Sequence, residues 1–508
     1  MFQQIQKAAS LKRAQSIWDI TQYRGCRALG MWRAAQRRGY RAFSRLAEQT
    51  EAFWLSRGYF PLLLAVLILA LALDWQVAGA AVLLGAATWF AALCPDFLAA
   101  VTPVTLAILL VGPEYRHLTV FLPCLPLACL FLMAVAVHFS VWPISVRLGK
   151  SARGLALVAA ATLLGGSSAM SVSDRCAPLT PYYTVGLGLG MLVLYVLFRA
   201  QIFRRHNYDL QERFARIWLT VGLGMAAVVM SICLRHLADF AALDGAVPEF
   251  KCRNFCATVL LTTMPSAFYL SRRSRWYLAS GGLMAAAMVF SGSRSALLFG
   301  AVVLAAGCLY LVHFGVLSRK TMLVVLALGC GVMLFFGMDG LRVLYNSRME
   351  SGHLIGSEEN RWRMLAQSGI DFLHHPIFGM GLGNTTNRKI YAGVPGSMFF
   401  YHNMVAQIIG SMGLVGVAAY ACLIRDRVML LWKGREDSFV AMLAISYLGM
   451  LLVSMTNPGE FCPFPNAALM VMLFAMAEDA VGDEVVPAAR LCSQRSVRRL
   501  VFLLTILK

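Results

Sequence analysis

The fold class this sequence predicts is all-α: a polytopic transmembrane helical bundle of about 12–14 spans with one large extracytoplasmic loop. Three observations predict it. Of 508 residues, 59% are apolar and only 14% charged, against about 25% charged in an average soluble domain. Fourteen apolar segments of near-span length follow one another along the chain. Lys and Arg, finally, gather in every second loop between those segments. With a mean hydropathy of +0.66, these features exclude a soluble enzyme, a disordered chain and a secreted disulfide scaffold. The formal charge of +20 then has three candidate meanings: nucleic acid, anionic lipid or membrane topology. Placement decides among them.

Residues 1–57 read as a basic amphipathic cytoplasmic arm. Eleven cations (Lys7, Lys12, Arg13, Arg24, Arg27, Arg33, Arg37, Arg38, Arg41, Arg45 and Arg57) stand against Asp19, Glu48 and Glu51, a net +8. Trp18, Trp32 and Trp54, with Tyr23, Tyr40 and Phe43, are interleaved with them. That mixture suits an anionic inner leaflet. The arm carries no recognisable nucleic-acid module, so no nucleic-acid partner is expected. It also lacks an uninterrupted apolar region and a small-residue cleavage site, so no signal peptide is expected.

The candidate spans run 59–74, 77–94, 97–112, 118–139, 154–171, 182–200, 217–234, 257–271, 276–291, 295–316, 321–337, 402–424, 438–456 and 464–481. Basic loops follow the fourth (Arg147, Lys150, Arg153), sixth (Arg204, Arg205, Arg213, Arg216) and eighth (Arg272, Arg273, Arg275) spans. They recur after the tenth (Arg319, Lys320) and twelfth (Arg425, Arg427, Lys433, Arg435), and in the tail with Arg490, Arg495, Arg498, Arg499 and Lys508. The opposite loops are short or mixed, with Asp74, Glu114 and Arg116, Asp174 and Arg175, and Glu460. This alternation puts both termini in the cytoplasm. The chain divides into the arm (1–57), a transmembrane bundle (58–337), an extracytoplasmic loop (338–401), C-terminal transmembrane helices (402–482) and a basic cytoplasmic tail (483–508).

The loop 338–401 is too long and too apolar to be a linker, with Trp362, Phe372, Phe378, Tyr391 and Phe399. Glu358 to Phe372 can form a helix with Ser357 as N-cap, which Pro376 stops. Gly379, Gly381 and Gly383 follow as a tight, backbone-exposed turn. No strand precedes them, so a dinucleotide fingerprint is not supported. Gly186, Gly188 and Gly190 lie inside a span, where small residues serve helix packing. Most of the thirteen cysteines sit in apolar runs as small hydrophobes. Cys252 and Cys256 are read as two separate thiols rather than a disulfide. No paired CxxC, HExxH or Ser-His-Asp set appears, so no metal or cofactor is expected.

Arg294 lies between two spans in Ser291-Gly292-Ser293-Arg294-Ser295, on the face where the charge rule does not favour arginine. It either snorkels to outer headgroups or serves a ligand among small polar neighbours. An arginine fork suits phosphate because it donates two parallel hydrogen bonds and stays charged. Arg361 and Arg363, taken alone, form a solvated helix face. His402 opens the span after the loop, either as one residue of an aromatic belt or as a neutral general base.

The order and spacing of these elements resemble the O-antigen ligase and polymerase superfamily. Arg361 stands fifteen residues before Pro376-Ile377-Phe378-Gly379-Met380-Gly381, then come His402-Asn403 and Gly413-Leu414-Val415-Gly416. The Ser-Arg element at 291–295 is similar to that superfamily's own, and the resemblance covers roughly 285–425. Ser411 stands where many members carry an acidic residue, and fourteen spans exceed the usual twelve.

The resemblance implies a membrane glycosyltransferase of the GT-C type in a bacterial cytoplasmic membrane. Its donor would be a polyprenyl-diphosphate-linked glycan and its acceptor a lipid or glycan hydroxyl. Arg294 and Arg361 would hold the diphosphate without a metal, and His402 would deprotonate the acceptor. Ser293, Arg363, Tyr401 and Asn403 would line the substrate site. A ligase is favoured over a polymerase using the same donor. A lipid-linked oligosaccharide flippase or other transporter is the alternative of another class. It would need intramembrane charge pairs and repeats, and neither is evident in the sequence.

Overall fold

The computed structural model describes residues 44–111, 120–142, 145–168, 177–202, 208–235, 253–291, 293–323, 353–383, 400–460, 464–482 and 486–490. Helix α1 (Ser44–Leu55) meets α2 (Tyr59–Ala72) at 79°. Then come α3 (Gln76–Leu93), α4 (Leu98–Val111), α5 (Leu125–Val141), α6 (Ser151–Leu164) and α7 (Thr180–Ile202), the last containing a π-turn at Gly186–Gly190. Next follow α8 (Leu210–Arg235), α9 (Arg253–Thr263), α10 (Pro265–Leu270), α11 (Tyr277–Phe290) and α12 (Arg294–His313). The loop helix α13 (His353–His374) precedes α14 (Met404–Lys433), α15 (Ser438–Ser454) and α16 (Phe464–Val481). Two short strands, β1 (Ser145–Leu148) and β2 (Val486–Arg490), pair antiparallel beside this all-helical body.

Helices stand at thirteen of the fourteen expected spans, and the segment 321–337 lies almost wholly outside the described residues. By length and composition, five helices can cross a membrane, or six if the bent α1–α2 pair counts as one. The other apolar helices are short, such as Leu98–Val111 and Ser151–Leu164, because turns at Pro and Gly cut them below a full span. The chain is a multi-pass membrane protein. Its α2 is apolar all round (YFPLLLAVLILALA), as lipid and protein neighbours both require.

Contacts between distant segments sort into two ends of the bundle. At one end, β1 pairs with β2, Arg273 reaches Asp209 at 3.8 Å and Glu212 at 3.3 Å, and Arg272 bonds Ser438. At the other, Arg235 pairs with Asp74 at 2.5 Å, and Asn403 Nδ2 donates to the Met455 carbonyl at 2.8 Å. These contacts join loops that the charge alternation groups together, whereas Arg427 and Glu460, assigned to opposite sides, pair directly and depart from it.

Two ion pairs inside the bundle correct the expectation of none. Arg199 lies 3.6 Å from Glu478, with both side chains fully buried, and Glu478 also accepts from Ser151 N at 2.8 Å and Tyr195 OH at 2.5 Å. Arg427 donates to Glu460 at 2.7 Å and lies 4.4 Å from the Phe474 ring centroid. Their partners come from separate helices and loops, so no window of sequence reveals them. The packing role expected of Gly188 is visible: a Cβ there would stand 3.3 Å from the Ala159 carbonyl of α6. At the start of the chain's described part, Arg213 stacks 4.0 Å from the Trp54 ring centroid and anchors α1. Cys256 is buried on α9, while Cys252 lies outside the described residues.

Candidate active site

The site is built around a break in α14. At Gly413 the backbone takes φ 58° and ψ −151°, a region essentially reserved for glycine. Leu414 N and Val415 N therefore leave the helical ladder and donate to the carbonyls of Pro376 (2.8 Å) and Ile377 (3.2 Å). The carbonyls they abandon, Gly410 and Ser411, accept instead from Met380 N (2.8 Å) and Gly381 N (3.0 Å). Four backbone bonds are exchanged one for one, so no buried peptide group is orphaned.

The glycines of both motifs make this exchange sterically feasible. A Cβ on Gly379 would stand 2.4 Å from Met412 N, and one on Gly413 would stand 2.6 Å from the Pro376 carbonyl oxygen. The C-terminal end of α6 closes the other side, where Leu382 N donates to the Gly166 carbonyl at 2.8 Å. Ser168 Oγ also donates to the Gly379 carbonyl at 3.0 Å. The turn 376–383 is a docking segment whose backbone is committed to the protein.

Just before the first turn of α14 sits His402, one of two described non-glycine residues with positive φ (52°). Asn403 is the N-cap: its Oδ1 accepts from Val405 N at 2.9 Å and Ala406 N at 3.1 Å. Burial holds the His402 imidazole below its ordinary pKa, and the positive charge of Arg361 lowers it further, while a hydrogen bond with the Asn457 side chain works the other way. His402 Nδ1 is buried without a hydrogen-bond partner. The result is a neutral ring at neutral pH, with Nδ1 buried and unpaired.

Asn457 continues into a polar thread. Asn254 Nδ2 donates to Asn457 Oδ1 at 3.0 Å, and Ser293 Oγ donates to Asn254 Oδ1 at 2.9 Å. Ser293 Oγ also lies 2.9 Å from Ser295 Oγ. The Ser-Arg element, α9, the link between α15 and α16, and His402 are thereby joined. Arg294 is the first residue of α12, so its backbone starts beside Ser293; its side chain lies outside the described residues.

The remaining predicted site residues have definite places. Arg361 is half-buried on α13 and close enough to act on His402. Arg363, two residues on, is half-exposed and paired with Glu359. Tyr401 is buried: its hydroxyl donates to Asp371 and its backbone N–H to Gln407 Oε1 at 3.0 Å. Tyr401 and Asn403, expected to line the substrate site, have their polar atoms engaged within the protein. Helix α13 begins at His353, so Ser357 is interior and not the expected N-cap; the helix extends a turn further than its acidic stretch suggested. Asn254, Asp371, Gln407 and Asn457 were missed, because isolated polar residues in separate segments carry no spacing signal. Among the described residues, no group of three or more His, Cys, Asp or Glu converges.

These features define a class: an all-helical, multi-pass membrane protein with a buried imidazole beside a guanidinium at one end of its bundle. Residues 279–421 match the O-antigen ligase family. The matched segment covers less than a third of the chain and contains Arg294, Arg361 and His402. That segment is O-antigen ligase-like. No curated protein matches the chain.

Proposed function

We propose that the protein is an O-antigen ligase-type glycosyltransferase. It transfers glycan from a polyprenyl-diphosphate carrier to an acceptor hydroxyl at the outer face of a bacterial cytoplasmic membrane. The observation that carries this reading is the meeting of His402 and Arg361, from two segments forty-one residues apart, inside the matched region. The acceptor O–H gives its proton to the unpaired nitrogen of His402 as its oxygen bonds the anomeric carbon. The bond from that carbon to the diphosphate breaks, and its electron pair stays on the diphosphate oxygen. Direct displacement inverts the anomeric centre.

Arg361, with Arg294 at the start of α12, meets the charge growing on the leaving diphosphate. Two guanidiniums in a water-poor site supply that stabilisation without a metal ion. A neutral His402 agrees with this role, because an imidazolium cannot accept the proton. Arg363, Ser293, Tyr401 and Asn403 contribute to the substrate site, the last two by shaping its floor.

For the sidedness, the contacts at the two bundle ends support the charge alternation. The end with β1, β2, Arg272 and Arg273 is the cytoplasmic one. The basic residues 1–43, which lie outside the described residues, would meet the anionic inner leaflet, while Trp54 of the expected arm is buried in the body of the protein. The test is transfer by membranes containing H402A or R294A, with protein level measured alongside. Both should lose transfer at unchanged abundance; wild-type transfer in both refutes the assignment. Deletion then separates the acceptors. A lost ligase leaves long carrier-linked polymer unattached, a lost polymerase leaves single units attached, and a lost flippase leaves units facing the cytoplasm.

A further inference from the structure

Asp371 is buried on α13, and the proposed mechanism does not use it. One oxygen accepts from Gln367 Nε2 at 2.7 Å and the other from the Tyr401 hydroxyl. No cation among the described residues pairs with it. A buried carboxylate held only by neutral donors is expensive, and the group it holds is the residue next to His402. The Tyr401 ring packs closely against α14 at Gly410, where an added Cβ would stand 2.8 Å from its Cε2. Tyr401 N is caught by Gln407 Oε1, whose amide donates to Ser411 Oγ at 2.7 Å.

His402 therefore has a left-handed backbone fixed from both sides, by Tyr401 before it and by the Asn403 cap after it. Such conformations persist where their surroundings over-determine them. Tyr401 and His402 also approach α13 at two points. Asp371 and Arg361 are ten residues apart, about 15 Å along a helix at ~1.5 Å per residue. The Tyr401–Asp371 bond therefore helps set where α13 sits and what charge it presents to the ring.

We propose that Asp371 is a positioning residue: through Tyr401 it fixes the backbone of His402 and the seat of the helix that carries Arg361. This rests on the reading of His402 as the base. Arg361, from α13, is the charge that acts on the ring, and Asn457, from the link after α15, is its neutral partner. If the Tyr401 contact is lost, α13 loosens, Arg361 withdraws and the imidazole gains proton affinity.

The test compares Y401F, D371A, D371N and the double variant D371A/Y401F in membrane transfer assays across pH. Y401F and D371A should each lower kcat about tenfold or more, with donor KM changed far less. Both should move the acid limb of the rate profile to higher pH. D371N should restore near wild-type behaviour, because its amide oxygen still accepts from Tyr401 and its NH2 can donate to the unpartnered Gln367 Oε1. The double variant should be no worse than either single. The limb position does not depend on protein amount, so it decides even where a variant is poorly retained. Wild-type kcat and limb in both Y401F and D371A, with H402A inactive, overturn the positioning role and leave the base assignment standing. Wild-type transfer by H402A overturns the base itself.

Discussion

Replacing Gly413 by alanine tests the helix break directly. The residue sits at φ 58° and ψ −151°, where a side chain costs about 1–3 kcal/mol in backbone strain. A Cβ would also stand 2.6 Å from the Pro376 carbonyl oxygen and 2.7 Å from the Ile377 carbonyl carbon. Both are backbone atoms, so the relief is to push the segment 376–383 away from α14. That motion puts the four exchanged hydrogen bonds at risk, each with a net contribution of about 0.5–1.5 kcal/mol. Strain and partial loss of the exchange together give about 3–5 kcal/mol of destabilisation. Gly369 is the control: it lies in α13 with nothing within 4 Å of where an added methyl would stand, and alanine there should stabilise by about 0.5–1 kcal/mol. The assay is thermal unfolding of purified protein in detergent, followed by size-exclusion fluorescence, with transfer measured in parallel membranes. G413A should unfold well below the wild type and transfer poorly, while G369A should match or exceed the wild type on both. Equal midpoints for G413A and wild type would refute the docking account.

The other predictions concern the ring, its cap and the buried charges. Because the folded pKa of His402 lies below its ordinary value near 6.5, the unfolded chain takes up the proton first as pH falls. Stability should therefore be unaffected by this group above about pH 6.5 and should decline below it, with a slope of at most ~1.4 kcal/mol per pH unit. H402N keeps a residue tolerant of left-handed φ and should remove that slope in pH-dependent unfolding. N403A should destabilise by about 1 kcal/mol through the lost cap, and N403D, which keeps the cap acceptor but cannot donate to Met455, should show a smaller loss in the same measurement. R427A alone should destabilise by about 3–5 kcal/mol, since it leaves Glu460 buried without its counter-ion, whereas R427M/E460Q should be far milder by unfolding in detergent.

The sequence was most informative where the physics is additive over a window. Hydropathy located thirteen described helices, because lipid demands apolar residues over a whole span whatever the neighbours are. The loop grouping was legible only in part: Arg272 and Ser438, like Asp74 and Arg235, meet as the charge rule groups them, but Arg427 and Glu460, which it puts on opposite sides, pair with each other. What one residue does for another across the fold was hidden. The span expected at 402–424 gave no sign of the break at Gly413, which needs Pro376 and Ile377 as acceptors from another segment. Arg199 with Glu478, like Asn254 with Asn457, has no periodicity to betray it.

The glycine motifs show why a motif and its role must be separated. Gly379-Met380-Gly381 was expected as a backbone-exposed turn, yet Met380 and Gly381 give their N–H groups to α14 beside Gly413, and Leu414 and Val415 give theirs to Pro376 and Ile377. On the proposed reading, substrate contact falls to side chains beside that junction, with His402 just before α14 and Arg361 on α13. Docking the turn after Pro376 fixes the C-terminal end of α13 against the break, and Tyr401–Asp371 adds a second anchor within its last turn. Arg361 lies ten residues before Asp371 on the same helix, so the anchors at the C-terminal end set the position of the segment whose charge acts on His402.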